Sequence, residues 1–109
     1  MPRVRYQLRA VGDFEDILRF TAERFGQAQA DSYQTKIERG VDSIAANPRI
    51  GRPYSGRSNQ IGDVRRYAVG RHMVFYQTPA EGEVLILRIL HQSMDFERHF
   101  ERGQPEGAP

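Results

Sequence analysis

The sequence predicts an α+β fold: an N-terminal strand, an α-helical hairpin, a three-stranded antiparallel meander completing a four-stranded sheet, and a short C-terminal helix. Two observations carry most of this. Residues Val64–Val69, His72–Gln77 and 84–90 are apolar runs separated by turn chemistry, Gly70-Arg71 in one gap and Thr78-Pro79-Ala80-Glu81-Gly82-Glu83 in the other. Upstream, residues 13–46 contain two stretches whose apolar positions recur at helical spacing.

Residues 3–9 alternate strictly, with Val4, Tyr6 and Leu8 on one side and Arg3, Arg5, Gln7 and Arg9 on the other, which is a strand with one dry face. Asp13 stands where an N-cap belongs, with Glu15 and Asp16 in the first turn, where the helix dipole favours negative charge. From there Phe14, Ile17, Leu18, Thr21 and Phe25 share a face, and Gly26 is placed to end a first helix over 13–25. A second helix over 27–46 follows, with Ala30, Tyr33, Ile37, Val41, Ile44 and Ala45 on its apolar stripe and Asn47-Pro48 as its stop. Residues 47–62 are dense in Gly, Pro, Ser and Asn and read as a loop with room for one short helical turn.

The run Val84-Leu85-Ile86-Leu87-Arg88-Ile89-Leu90 does not alternate, so it predicts a central strand covered on both faces. Arg88 lies inside it. A charge so placed is costly without a partner, and an ion pair with Asp95 or Glu97 is the structural expectation. After the strand, Ser93 can cap a last helix carrying Asp95, Phe96 and Phe100. Residues 1–100 are read as one domain and 101–109, which lack an apolar anchor, as a flexible tail.

Composition narrows the function classes. No apolar run reaches the length of a membrane span, and the charged start MPRVRYQLRA lacks the apolar core of a secretion signal, so a soluble, cytoplasmic protein is expected. There is no cysteine, and His72, His91 and His99 lack a ligand cluster, so neither a metal nor another cofactor is expected. The formal charge is only +2, yet Arg49, Arg52, Arg57, Arg65, Arg66 and Arg71 face a single acid, Asp63, in their stretch. Such a basic patch is either a solvated face or a surface for phosphates or an acidic partner. Tyr67, Phe75 and Tyr76 read as core or sheet-face aromatics rather than a base-stacking platform.

Three strings carry a resemblance: Ala45-Ala46-Asn47-Pro48-Arg49-Ile50-Gly51-Arg52, then 64–76 (VRRYAVGRHMVFY), then Arg88-Ile89-Leu90-His91-Gln92-Ser93-Met94-Asp95. In this order and spacing the chain resembles the ParE branch of the RelE/ParE toxin superfamily, from Tyr6 to Phe100. The resemblance implies a toxin of a type II toxin–antitoxin module that inhibits DNA gyrase and blocks replication. It also implies neutralisation by a ParD-like antitoxin, whose C-terminal segment folds onto the toxin in a heterotetramer or larger assembly. The basic charge of this chain predicts that segment to be acidic.

The RelE relatives cut mRNA on the ribosome, and that is the alternative reading. Metal-independent RNA cleavage needs an acid or base near neutral pKa and cations around the phosphate, roles open to Arg71, Arg88 and His91. The ribonuclease branch typically adds a C-terminal tyrosine or a set of lysines. This chain has no tyrosine after Tyr76 and only Lys36. His91 is therefore expected, as a strand-end histidine, to hydrogen-bond the backbone entering the last helix. Arg71, Arg88, Met94 and Phe96, beside the basic loop, are the candidate target-binding surface. A third reading is an inactive toxin-like domain that binds antitoxin.

Overall fold

The computed structural model describes residues 2–54, 63–94 and 96. Its elements are β1 (Arg3–Tyr6), α1 (Leu8–Phe25), α2 (Gln27–Ala46), β2 (Arg52–Tyr54), β3 (Val64–Val69), β4 (His72–Gln77) and β5 (Glu83–His91). They form an α+β fold around a five-stranded sheet of order β1-β5-β4-β3-β2, with β1 parallel to β5 and every other pair antiparallel. The meander is as expected. The fifth strand is not: β2, three residues inside the stretch read as loop, pairs with β3. Its Pro53 and flanking Arg52 gave no apolar run to read.

The first helix also begins earlier than its sequence signals indicate. β1 ends at Tyr6, and the Gln7 N–H reaches the carbonyl of Ile86 before the chain turns straight into α1 at Leu8. Leu8 is thus 87% exposed rather than on a dry strand face, while Ala10 is fully buried. Asp13 is no N-cap but a residue of the helix, spent on a partner in β5. α2 occupies the range expected, joined to α1 through Gly26 at φ 96°, a conformation that glycine adopts without penalty.

The helices cover one face of the sheet. Ala10 and Ile17 of α1 and Ile37, Val41 and Ile44 of α2 pack with Val69, Val74, Tyr76, Val84, Ile86 and Ile89. Each large aliphatic side chain buried there contributes about 1.5–3 kcal/mol. The other face carries a second cluster, Val64, Phe75, Leu87 and Leu90, with Tyr54, Met73, Leu85 and Phe96 against it. A register shift at Phe75/Tyr76 lets β5 serve both clusters. Ile86 and Ile89, three apart, both face the helices, while Leu87 and Leu90 both face away. The extra residue of a bulge changes the phase of a strand in this way, which is why the run never alternated.

The expected last helix falls on residues 95 and 97–100, and the expected tail on 101–109; both lie outside the described residues. Within the described residues, no helix is long and apolar enough to cross a membrane.

Candidate functional site

Two regions concentrate the chemistry. The first is a cleft of about 700 Å³ between the helical hairpin and the β3–β4 turn, lined by Ile17, Phe20 and Phe25 of α1, Tyr33 and Lys36 of α2, and Gly70, Arg71, His72 and His91 of the sheet. Amphipathic spacing brings Ile17 inward, but Phe20 and Phe25 are 55% and 65% exposed at its rim. Its polar floor follows from strand register. His72 and His91 are directly opposed across β4 and β5, and their rings meet edge to face at 5.2 Å.

Tyr33 ties α2 to this floor. Its hydroxyl lies 2.6 Å from His72 Nδ1 and accepts the Arg71 N–H at 3.1 Å. Gly70 is at φ 59°, and a Cβ there would sit 2.7 Å from that hydroxyl, so the turn requires glycine on both counts. Burial pushes His72 down to about 4, helped by the neighbouring His91 and opposed by the negative charge of Asp13. Its imidazole is neutral at physiological pH. His91 Nδ1 accepts the Ser93 N–H at 3.1 Å and lies 2.8 Å from Ser93 Oγ, so it holds the backbone leaving β5 as expected from its strand-end position. The lasting positive charges of the cleft are Lys36 and Arg71, since the acid at its edge, Asp16, is paired with Arg19 at 2.8 Å.

Arg88 does not join Arg71 and His91. Its guanidinium turns toward α1 and meets Asp13 through Nε at 2.8 Å and Nη2 at 2.9 Å, with only 12% of its side chain exposed. The partner is therefore Asp13; Asp95 and Glu97, expected from the sequence, are outside the described residues. The three groups proposed for phosphate chemistry are thus divided, two lining the cleft and one locked in an ion pair.

The second region is the β2–β3 edge. Tyr76, fully buried, accepts the Gly51 N–H at 2.9 Å and donates to the Pro48 carbonyl at 2.7 Å, and Arg65 Nη1 donates to the Gly51 carbonyl at 2.7 Å. The NPRIG segment is thereby clasped to the sheet. A Cβ at Gly51 would stand 2.5 Å from the Tyr76 hydroxyl, so a glycine is needed where the two meet. Beyond the clasp, Arg49 and Arg52 are exposed, and the Arg66 guanidinium lies 5.8 Å over the Tyr54 ring. Phe96 packs edge-on against Phe75 at 4.9 Å, and Met94 is 43% exposed just past β5. Arg57 lies outside the described residues.

A family model described as the ParE toxin of the type II toxin–antitoxin system parDE matches residues 4–96. The chain belongs to the ParE toxin family. Among its relatives, Toxin ParE1 of Mycobacterium tuberculosis is 36% identical over 91 residues, covering 83% of this chain and 89% of the relative. Toxin ParE1 of Caulobacter vibrioides is 35% identical over 99 residues, 91% of this chain and 98% of the relative. A solved structure described as the chromosomal ParDE TA system from P. aeruginosa superposes with a TM-score of 0.63 at 20% identity, covering 84% of this chain and 96% of that one, and supports the fold. This ParE-family chain is thus a ParE-type toxin of a type II toxin–antitoxin system, as its three motif strings implied.

Tyr33, His72 and Tyr76 are the residues that sequence reasoning passed over, and Asp13, read as an N-cap, is the one it misassigned. Tyr33 and Tyr76 read as apolar positions and His72 as an isolated histidine. The available signal for His72 was its place opposite His91 once the meander is drawn.

Proposed function

We propose that this chain inhibits DNA gyrase and so arrests replication, and that a ParD-like antitoxin neutralises it through an acidic, partly apolar segment seated in the cleft. Membership of the ParE family is the observation that carries the gyrase reading. The cleft supports the antitoxin reading. Phe20 and Phe25 stand exposed beside Lys36 and Arg71, so an amphipathic segment with carboxylates on one side finds apolar rings and cations together. Assembly as a heterotetramer or larger is part of the same proposal.

Cleavage of mRNA receives less support from the geometry. With Arg88 bound to Asp13 and His91 Nδ1 occupied by Ser93, the cationic cage that an RNA-cleaving site needs is not drawn together. The deciding experiment incubates the purified chain with gyrase and supercoiled plasmid, scoring supercoiling and trapped linear DNA, beside a ribosome-programmed mRNA cleavage assay. Linear DNA that accumulates with the toxin and disappears with the antitoxin is expected. Cut mRNA with gyrase unaffected would transfer the chain to the ribonuclease reading, and silence in both from folded protein would favour an inactive antitoxin-binding domain.

A further inference from the structure

The register of β2 on β3 sets Arg52 directly opposite Arg66. Opposed residues of an antiparallel pair share a face with Cβ atoms about 4.5–5.5 Å apart, and like charges in that position destabilise the sheet. Two residues along, and so on the same face, the opposed pair Tyr54 and Val64 belongs to the cluster on the side away from the helices, so both arginines emerge on that side. No carboxylate among the described residues forms an ion pair with Arg49, Arg52 or Arg66. Arg65, by contrast, points its guanidinium at the Gly51 carbonyl and is not part of the free charge. What remains is two arginines at directly opposed positions on one face of the sheet, Arg66 with its guanidinium over the Tyr54 ring, and Arg49 three residues upstream of Arg52 in the clasped turn.

We propose that the Arg52–Arg66 pair, extended by Arg49, is a phosphate-contact surface through which the chain itself touches the sugar–phosphate backbone of DNA. An anion placed between the two guanidinium groups relieves their repulsion, and the planar forks match phosphate oxygens. The shape of the edge favours a backbone of phosphates over a peptide strand. Pro53, in the middle of β2, has no N–H to offer an added strand, so main-chain pairing is blunted where the side chains are most basic. The inference goes beyond gyrase inhibition and does not depend on it, since no gyrase residue is involved.

The test is binding of a labelled duplex of arbitrary sequence to the full chain across a series of salt concentrations, with no gyrase present. Each lost phosphate contact lowers the slope of log K against log salt by about 0.9. Arg52→Gln is expected to lower it by about one and Arg52→Gln/Arg66→Gln by about two. Arg39→Gln, which removes the same charge from the exposed surface of α2, is expected to leave it unchanged. Should Arg66→Gln fail to fold, the exposed Arg52 decides alone. Equal slope losses for Arg39→Gln and Arg52→Gln would overturn the proposal in favour of diffuse attraction. So would a glutamate-rich peptide that binds with the same arginine dependence while the duplex does not bind.

Discussion

Asp13 and Arg88, 75 residues apart, are joined at two points, and the same carboxylate also accepts the Ile89 N–H at 2.9 Å. This carboxylate fastens α1 to β5 beside the strand's irregularity. Three donors converge on one carboxylate, and with 12% of the Arg88 side chain and 14% of the Asp13 side chain exposed the pair is mostly shielded from water, so its partners depend on each other.

Removing either partner strands the other, so the two losses are not expected to add. Asp13→Ala leaves a largely shielded guanidinium and a strand N–H without an acceptor, at up to about 3 kcal/mol. Arg88→Ala is expected to be comparably damaging, and the double variant to cost clearly less than the sum of the two. A double-mutant cycle by urea unfolding measures this, and additive losses would mean that the pair carries no coupling.

Tyr76→Phe removes a buried hydroxyl that serves both Gly51 and Pro48. The Gly51 N–H would then be buried without an acceptor, so a loss of about 1–3 kcal/mol is expected. Hydrogen exchange at the Gly51 amide should accelerate more than exchange at Ile86 in the sheet centre. Uniform acceleration would instead indicate global loss of stability without local release of the clasp.

His72 makes stability depend on pH. Its folded value of about 4 lies below the ordinary 6.5, so between those values the unfolded chain binds a proton that the folded one does not. Stability is expected to rise with pH through this window and to be lost as pH falls toward 4. The groups acting on the ring are His91, edge-on at 5.2 Å, the Tyr33 hydroxyl at 2.6 Å and the charge of Asp13. Thermal melts of His72→Gln should show a smaller fall between pH 6.5 and 4.5 than the parent chain; an unchanged fall would place the titration elsewhere.

Phe20 and Phe25 are exposed large side chains at the rim of the cleft. Their replacement by serine is expected to change stability within about 0.5 kcal/mol, as for surface positions. If the antitoxin occupies the cleft, each change should weaken its binding about tenfold or more, measured by calorimetry. Unaltered affinity would move the antitoxin to another surface.

The helical hairpin and the meander were legible because they rest on local periodicity: 27–46 and the three strands 64–69, 72–77 and 84–90 fall within a residue of the observed elements. What failed was decided at a distance. An aspartate that caps a helix and one that meets an arginine 75 residues away look the same in sequence, so Asp13 misplaced the start of α1. β2 was hidden because its partner strand supplies the pairing and its own residues supply no apolar pattern. The basic patch was visible as composition, but only register separates Arg65, which holds Gly51, from Arg52 and Arg66, which stand opposed. The NPRIG string that pointed to the family turns out to be held by Tyr76, a contact that no spacing rule predicts.

The parallel pairing of β1 with β5 has a consequence for synthesis. Arg3 is opposite Glu83, so the first strand made waits for the last before it finds a partner. At about 5–20 residues per second, that wait lasts roughly 4–16 seconds. The cleft shares the delay, because His91 closes it from the end of β5. A nascent chain can fold its helices early, yet the cleft is unfinished until His91 has been made, so translation itself sets the earliest moment at which anything can occupy it.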